Sequence, residues 1–300
     1  MHILNNLIVG TLPYVPKPIV AKFAGRYIAG AAISDAVLTV RYLNTLKAMA
    51  TVDVLGEDIF TKEQAMESRD GNIAALNAIA GHQLDSNLSI KLTSLGLKMD
   101  KQFCVNNTSA IIDTAKKHNN FVRIDMEDRT CTDDTLEIYR TMRARYEKVG
   151  IVIQAYLHRS EDDVRKLVSE KANVRLCKGI YVEPADVAIK DRKGIQDNYL
   201  KLLRILLEGG SYVGIATHDD VLINGAKEII KDLDLGKDKY EFQMLLGVRD
   251  ETRKRLIDEG HRLRVYVPFG KDWYAYSIRR LKENPQMAGH VFKAIFGIGQ

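Results

Sequence analysis

The fold is decided by one stretch near the middle of the chain, which reads Ile151-Val-Ile-Gln-Ala-Tyr-Leu-His-Arg-Ser160-Glu-Asp-Asp-Val-Arg-Lys-Leu-Val-Ser169-Glu-Lys-Ala-Asn-Val174-Arg-Leu-Cys177. Its two ends, residues 151–157 and 174–177, are short apolar runs of the kind that form buried strands. The part between them, residues 161–169, is amphipathic and helical, and Ser160 with Asp163 predicts its N-terminal cap. A strand, a helix and a second strand in this order predict a right-handed crossover between parallel strands.

This unit recurs along the chain. Further strand candidates are residues 50–55, 88–93, 121–126, 212–216, 240–245 and 263–267. Further helical stretches are residues 62–80, 107–118, 132–148, 198–208, 221–231 and 251–259, the first of them capped by Thr61 with Gln64. Eight strands that alternate with helices predict an α/β protein built as a (β/α)8 barrel of the TIM type.

An open doubly wound sheet is the alternative architecture. It is disfavoured because the first strand ends in Leu55-Gly-Glu-Asp58 and not in a Gly-x-Gly-x-x-Gly dinucleotide fingerprint. The chain also carries no Gly-x-x-x-x-Gly-Lys-Ser/Thr phosphate loop.

The first 48 residues have a different character. They look helical, with an early loop marked by Pro13, Pro16 and Pro18, helix-type periodicity over residues 19–47, and Ser34 or Asp35 as a cap for its second half. We therefore predict an N-terminal helical arm, residues 1–48, followed by one catalytic domain, residues 49–300.

Composition bounds the class of protein. The chain has 300 residues, 46% of them hydrophobic and 28% charged, with a net charge of +5 and both signs interspersed. This suits a folded protein whose charges serve solubility, with room for acidic ligands or an anionic membrane surface, and it does not resemble a nucleic-acid footprint. Cys104, Cys131 and Cys177 show no C-x-x-C spacing, which disfavours a disulfide framework or a zinc ribbon and favours a reducing compartment. We expect a cytoplasmic protein with no membrane span.

Polar groups recur near the ends of the predicted strands. They are Lys91, Asp125, Gln154, Arg175, Lys178, Thr217, His218, Asp219, Glu241, Gln243 and Tyr266. In a parallel barrel the carboxyl ends of the strands carry the functional site. We expect these side chains to converge in one cavity, because buried charges are costly unless they are paired or bound to a ligand.

Beyond the last strand a helix carries Tyr276, Arg279, Arg280 and Glu283 on one face, at spacings of three and four. Two guanidinium forks beside an aromatic ring and a carboxylate suit the binding of a small carboxylate. A solvated, salt-bridged helix is the alternative interpretation.

Several kinds of site can be weighed. A metal site is disfavoured, because His218 with Asp219 is the only local pair of ligands. Lys91 or Lys178 could form a Schiff base, as in an aldolase or lyase. A cofactor site would use Arg175, Lys178 and the Gly179 backbone for phosphates, with polar strand-end groups on the ring. A binding protein for an anionic metabolite is a non-enzymatic alternative.

Motifs along nearly the whole chain match one family in order. They are Thr51-Val-Asp-Val-Leu-Gly-Glu57, Ile90-Lys-Leu-Thr93, Asp125-Met-Glu-Asp128, Gln154-Ala-Tyr156, Arg175-Leu-Cys-Lys-Gly-Ile-Tyr181, Ala216-Thr-His-Asp219, Glu241-Phe-Gln-Met-Leu245 and residues 266–284. The chain resembles the proline dehydrogenases, most closely the short, monofunctional bacterial type. These flavoenzymes oxidise L-proline to Δ1-pyrroline-5-carboxylate, the first step of proline degradation to glutamate.

The resemblance implies a distorted (β/α)8 barrel that holds FAD at the strand ends, with the last helix capping the flavin as a lid. It implies Asp125 and Arg175 as catalytic residues. The implied substrate contacts are Lys91, Tyr181, Leu245, Tyr266, Tyr276, Arg279, Arg280 and Glu283. The implied cofactor contacts are Met126, Gln154, Arg175, Lys178, Gly179, Ile180, Thr217, His218 and Gln243.

The resemblance also implies chemistry and partners. A hydride would pass from the ring carbon next to nitrogen to flavin N5, and a quinone would reoxidise FAD at the inner face of the cell membrane by peripheral contact. Tyr276 implies proline rather than hydroxyproline as substrate. Two positions depart from many relatives, Ile180 in place of alanine and Leu246 in place of tyrosine or histidine; both bear on the fine specificity of the pocket, and neither removes a catalytic group.

Overall fold

Eight parallel strands close into a barrel, as a computed structural model shows for residues 25–56, 59–274 and 276–278. The strands are β1 (Met49–Val54), β2 (Ser86–Ile90), β3 (Val122–Ile124), β4 (Val149–Gln154), β5 (Val174–Cys177), β6 (Val213–Ala216), β7 (Tyr240–Leu245) and β8 (Leu263–Phe269). Each strand pairs with its sequence neighbour, and β8 pairs with β1. The predicted (β/α)8 barrel is confirmed.

A helix precedes the first strand, and a helix follows each strand from β1 to β7. The helices are α1 (Ile33–Thr45), α2 (Lys62–Gly81), α3 (Lys101–Lys117), α4 (Thr132–Arg145), α5 (Ser160–Ser169), α6 (Arg192–Glu208), α7 (Asp220–Asp232) and α8 (Asp250–Asp258). Short 3-10 turns at Thr93–Leu95 and Arg129–Cys131 lie in two of the loops. In the described residues, no helix combines the length and the apolar character that crossing a bilayer requires.

Two helices begin earlier than the sequence pattern indicated. α3 begins at Lys101 and not at residue 107, and α6 begins at Arg192 and not at residue 198. The first turn of α6 is polar, so apolar periodicity does not mark it, whereas the first turn of α3 carries Phe103 and Cys104, which the sequence pattern missed. The carboxylates of Asp100 and Asp191 accept hydrogen bonds from backbone N–H groups in those turns and so cap the helices.

Two predicted caps were wrong, while Thr61 caps α2 with Gln64 as predicted. Ser160 lies inside α5 and its hydroxyl donates instead to the Gln154 carbonyl oxygen, at 2.6 Å. In α1 the cap position is Ala32, whose N–H donates to the Asp35 carboxylate at 2.9 Å. In both helices the cap position, Arg159 or Ala32, therefore lies before the side chain that the pattern singled out.

Both faces of the strands are buried, which explains why these apolar runs form strands and leaves the ends of the barrel as the place for a site. β4 is buried along its whole length, and α6 packs Leu202, Leu203 and Leu206 against the outside of the barrel with no exposed surface. Each such leucine stabilises the fold by about 1.5–3 kcal/mol. α1 packs on β1 and β8. Residues 1–24 lie outside the described part, and the domain division at residue 48 stays a prediction.

Candidate active site at the carboxyl ends of the strands

A cavity of about 690 Å³ opens at the carboxyl ends of the strands. Every described residue to which the family resemblance assigns a role lines it. These are Lys91, Asp125, Met126, Gln154, Arg175, Lys178, Gly179, Ile180, Tyr181, Thr217, His218, Gln243, Leu245, Tyr266 and Tyr276. Arg279, Arg280 and Glu283, and with them the predicted lid helix, lie outside the described residues.

Asp125 stands at the centre of a buried polar network. It follows directly on β3, and its carboxylate accepts hydrogen bonds from Ser89 Oγ at 2.8 Å and from the Tyr266 hydroxyl at 2.7 Å. Two cations complete the shell, Arg175 Nη1 at 3.2 Å and Lys91 Nζ at 3.4 Å. Four elements of the barrel, β2, β3, β5 and β8, therefore converge on one carboxylate.

The electrostatics of this network favour an ionised Asp125. Burial by itself raises the pKa of a carboxyl, but Lys91, Arg175 and the hydroxyl donors outweigh it and hold the pKa of Asp125 below its ordinary value. The pKa of Tyr266 lies well above its ordinary value, mainly because the phenol is buried and also because the negative charge of Asp125 is close to it. The phenol therefore keeps its proton and acts as a hydrogen-bond donor. For Arg175 the burial penalty is outweighed by Asp125 and other anions, and its pKa is raised.

Lys91 is held as a hydrogen-bond donor. Its Nζ lies 2.8 Å from Asp53 Oδ1 and 3.1 Å from the Tyr266 hydroxyl oxygen, in addition to its contact with Asp125. Two carboxylates favour the ammonium form. A Schiff base needs a neutral, nucleophilic amine, so this geometry disfavours the aldolase interpretation at Lys91.

Two buried polar atoms on the cavity wall have no hydrogen-bond partner within the described residues. Gln154 Oε1 is one of them, although its Nε2 donates to the carbonyl oxygens of Met126 and Glu127. Arg175 Nε is the other. Because buried polar groups are almost always paired, these atoms mark where a ligand with polar edges would bind.

The backbone at Gly179 makes a close approach that only glycine allows. Its φ is +107°, and a Cβ there would lie 2.1 Å from the Tyr156 ring. The chain therefore turns out of β5 directly over Tyr156. The loop that follows exposes Ile180, at 52%, and Val182, at 100%, beside the mouth of the cavity.

A second polar cluster forms the rim at β6. His218 Nε2 accepts a hydrogen bond from the Leu245 N–H at 2.9 Å, which requires the neutral tautomer with its proton on Nδ1. Asp219 caps α7 and accepts from Gln196 at 2.9 Å, from Arg192 at 3.2 Å and from Lys178 at 3.5 Å. The Asp219 carboxylate thus pairs with two cations, Arg192 and Lys178, at the mouth of the cavity.

No group of three potential metal ligands occurs among the described residues, 25–56, 59–274 and 276–278. Of the cysteines, Cys104 and Cys131 are buried. Burial raises the pKa of the Cys104 thiol to about 12. Cys177 is half-buried and lines the cavity.

The sequence placed Glu241 among the strand-end groups, and this was wrong. Glu241 lies near the opposite end of the barrel, where Arg264 Nε donates to it at 2.6 Å and the Tyr212 hydroxyl at 2.8 Å. Gln243, two residues later on the same strand, lines the active-site cavity and donates to Glu241 at 2.6 Å. Residues two apart share a side of the strand but differ in height along the barrel.

Three functional positions were missed. Asp53 appeared only within a matched motif, and its signal is a carboxylate in the middle of an apolar strand run. The other two, Arg192 and Arg249, line the cavity. Both lie where a loop enters a helix, in polar sequence that carries no strand pattern. Arg249 has a left-handed backbone (φ 52°) and donates to the His218 carbonyl oxygen at 2.7 Å.

Together, a closed (β/α)8 barrel and a buried ion-pair network beneath a large strand-end cavity define a barrel enzyme. The family model for proline dehydrogenase matches residues 36–293. The chain is 43% identical over 272 residues to proline dehydrogenase 1 of Bacillus subtilis strain 168, covering 91% of this chain and 90% of that protein. It is 38% identical over 277 residues to a proline dehydrogenase of Deinococcus radiodurans, covering 91% and 89%.

A solved structure agrees. The crystal structure of proline utilization A from Bdellovibrio bacteriovorus, inactivated by N-propargylglycine, has a TM-score of 0.82 and 25% sequence identity. The match covers 88% of this chain, which spans 33% of that longer protein. The chain belongs to the proline dehydrogenase family, and it is an oxidoreductase of proline catabolism.

Proposed function

We propose that the chain oxidises L-proline to Δ1-pyrroline-5-carboxylate with FAD as its bound cofactor, and that a quinone takes the electrons. One observation carries the proposal. The Asp125 network, with Lys91, Arg175 and Tyr266, forms the floor of a cavity that all the described residues of the predicted site line. Family membership supports the reaction class.

The cavity wall fits a flavin. Gln154 Oε1 is a buried acceptor and Arg175 Nε a buried donor, both without a partner in the described residues, and a flavin ring offers polar edges of both kinds. We assign the ring edge to Met126, Gln154, Arg175 and Gln243. The rest of FAD would lie along Lys178, Gly179, Ile180, Thr217 and His218. FAD, when bound, supplies the hydride acceptor at N5.

The substrate pocket would lie between the flavin site and Tyr276, which is 7% exposed. Lys91, Tyr181, Leu245, Tyr266 and Tyr276 line the cavity there. We assign the proline carboxylate to Arg279 and Arg280, braced by Glu283, because guanidinium forks bind carboxylates bidentately. In the described residues, Lys91 and Arg175 are balanced by Asp53 and Asp125, so the charge that binds the substrate carboxylate has to come from elsewhere.

The ion pairs around Asp125 determine which side chains can donate a hydrogen bond to the substrate and which can accept one. Loss of a hydride from the ring carbon needs the lone pair of a neutral amine. Lys91 acts as a donor, because two carboxylates hold it as an ammonium. Asp125 is ionised at neutral pH, because Lys91 and Arg175 overcome the burial penalty on its pKa. We therefore assign Asp125 to accept a hydrogen bond from the substrate N–H and so to orient the ring.

The two departures from the family have different positions. Ile180 lines the cavity and is half-exposed at its mouth. Leu246 packs against the core, and its N–H donates to the Tyr266 carbonyl oxygen at 3.0 Å, so it acts on the pocket through β8. We propose that Ile180 contacts FAD directly and that Tyr276 selects proline over hydroxyproline.

A quinone as electron acceptor suggests where in the cell the protein works. A lipid-soluble quinone resides in the bilayer, and exposed Ile180 and Val182 lie beside the cavity mouth. We propose a cytoplasmic protein that meets the inner face of the cell membrane peripherally, with this rim towards the lipid.

A cofactor assay tests the proposal. Purified protein should be yellow, and heat should release a flavin that mass spectrometry identifies as FAD. With a soluble quinone, L-proline should be consumed, and N-propargylglycine should abolish this turnover unless excess proline is present. An exposed ion-pair variant, Arg165→Gln, is the matched control and should behave as wild type. Colourless protein that takes up no FAD would contradict the proposal.

A further inference from the structure

Asp53 is a buried carboxylate that the proposed reaction does not use. It lies inside the barrel on β1, is 2% exposed, and stands in register with Ser89 of β2. Ser89 turns its hydroxyl to Asp125, so Asp53 belongs to the layer of side chains directly beneath the cavity. A buried carboxylate is costly unless it is paired, and its position therefore needs a reason.

Within the described part of the chain, Asp53 pairs with Lys91. The Lys91 ammonium is 2.8 Å from Asp53 Oδ1 but 3.4 Å from Asp125 Oδ2. Lys91 also donates to the Tyr266 hydroxyl at 3.1 Å, and that hydroxyl donates to Asp125 at 2.7 Å. Asp53 thus pulls the lysine to the β1 side, where it reaches Asp125 through Tyr266 as well as directly.

The charges explain what this achieves. Within the described residues, two cations, Lys91 and Arg175, face two carboxylates, Asp53 and Asp125. Without Asp53, Lys91 loses the nearest of its described anions, and we expect its ammonium to shift towards Asp125, which Arg175 already contacts. Asp125 would then have less freedom to accept a hydrogen bond from a ligand, and Lys91 would leave its place at Tyr266.

We infer that Asp53 is a positioning residue for Lys91, and the inference rests on the proposed function for its effect on proline. Asp53 holds the ammonium between Tyr266 and Asp125 at a fixed distance. It acts through Lys91 and touches neither substrate nor cofactor.

A first test needs no turnover. Reductive methylation with formaldehyde and cyanoborohydride labels only neutral amines, and peptide mass spectrometry can report labelling at Lys91 relative to Lys178. Asp53→Asn removes the nearest carboxylate, so this ratio should rise several-fold. Asp163→Asn is the matched control, since Asp163 is 5% exposed and pairs with Arg159 at 2.7 Å, away from the cavity. It should leave the ratio unchanged.

A second test uses turnover. For the flavin-loaded enzyme, Asp53→Asn should lower kcat/KM for proline roughly 10- to 100-fold, the effect expected of a misplaced polar group. In a Lys91→Met background the same change should have no further effect, because Asp53 then has nothing to position. The double variant leaves neither charge unpaired, so it should fold even where Asp53→Asn alone does not.

An unchanged Lys91 labelling ratio would overturn the inference, as would an equal loss of kcat/KM from Asp53→Asn in both backgrounds. Failure of the wild type to oxidise proline would instead contradict the proposed function. In that case the labelling experiment still decides the role of Asp53.

Discussion

At the scale of single residues, Asp125 shows how opposing effects set a protonation state. Burial favours the neutral acid, while Lys91, Arg175 and the Tyr266 hydroxyl favour the carboxylate, and together they win. The folded-state pKa therefore lies below the unfolded one. The stabilisation is fully present above the unfolded pKa of about 3.9 and is lost as the pH falls through the folded pKa.

This sign gives a pH-dependent prediction. Asp125→Asn should lower the free energy of unfolding by about 3–5 kcal/mol at neutral pH, because two buried cations lose a counter-ion. The difference from wild type should begin to shrink below about pH 4, where the carboxyl is protonated in the unfolded state, and it should vanish only as the pH falls through the lower folded-state pKa. Urea denaturation across this range measures it. The exposed pair variant Asp113→Asn should change little at any pH, and a constant Asp125→Asn difference down to the lowest pH would contradict the account.

The sequence predicted which polar side chains point into the barrel, but not where along the barrel axis each of them lies. Gln243 and Glu241 both alternate inward on β7, yet one lines the cavity and the other pairs with Arg264 near the opposite end. Their height depends on the register between strands, which a single sequence does not show. Asp53 was missed for a related reason, since its meaning depends on Lys91 of the next strand.

At the scale of elements, the connection from β5 to α6 positions the mouth of the cavity. Gly179 lets the backbone turn over Tyr156, and an isolated bridge between Leu157 and Ala188 joins the loop to the end of β4. Glu183, 5% exposed, accepts from the Arg129 N–H at 2.8 Å and so ties the loop to the one after β3. Sequence periodicity predicts none of these contacts, because a loop has no repeating pattern.

Gly179→Ala should therefore disturb the site more than the fold. A Cβ at this position meets the Tyr156 ring and also strains a positive φ, so FAD content per protein should fall several-fold. Gly210→Ala separates the two effects. Its φ is +77°, but the nearest atom to a Cβ is 3.5 Å away. That control should cost about 1–2 kcal/mol in stability and keep full FAD content. Equal FAD content in both variants would contradict the role of the loop.

At the scale of the whole molecule, the barrel has two polar ends, one with the candidate active site and one whose polar groups pair with each other. The carboxyl ends of the strands carry the candidate active site. The other end is closed by Glu241, which accepts hydrogen bonds from Arg264, Tyr212 and Gln243, and by Arg123, which donates to the Ile151 and Asn173 carbonyl oxygens. The strand and helix order predicted the barrel itself, since periodicity and chain connectivity suffice for it.

Mutation can test whether the end of the barrel around Glu241 affects stability without affecting the reaction. Arg264→Met should destabilise the protein by about 3–5 kcal/mol, because Glu241 is left buried without its cation. Adding Glu241→Gln should recover much of this loss, as followed by urea denaturation. The double variant should keep the wild-type kcat/KM for proline. A double variant that is folded and FAD-loaded but slow with proline would show that this end contributes to the reaction.

The central claim is that proline reduces a flavin bound in the strand-end cavity. The most direct measurement is the absorbance of purified, flavin-loaded protein under anaerobic conditions, before and after L-proline is added. We expect the flavin band at about 450 nm to be lost when proline is added. The opposite result, a bound flavin that stays oxidised at saturating proline, would contradict the claim.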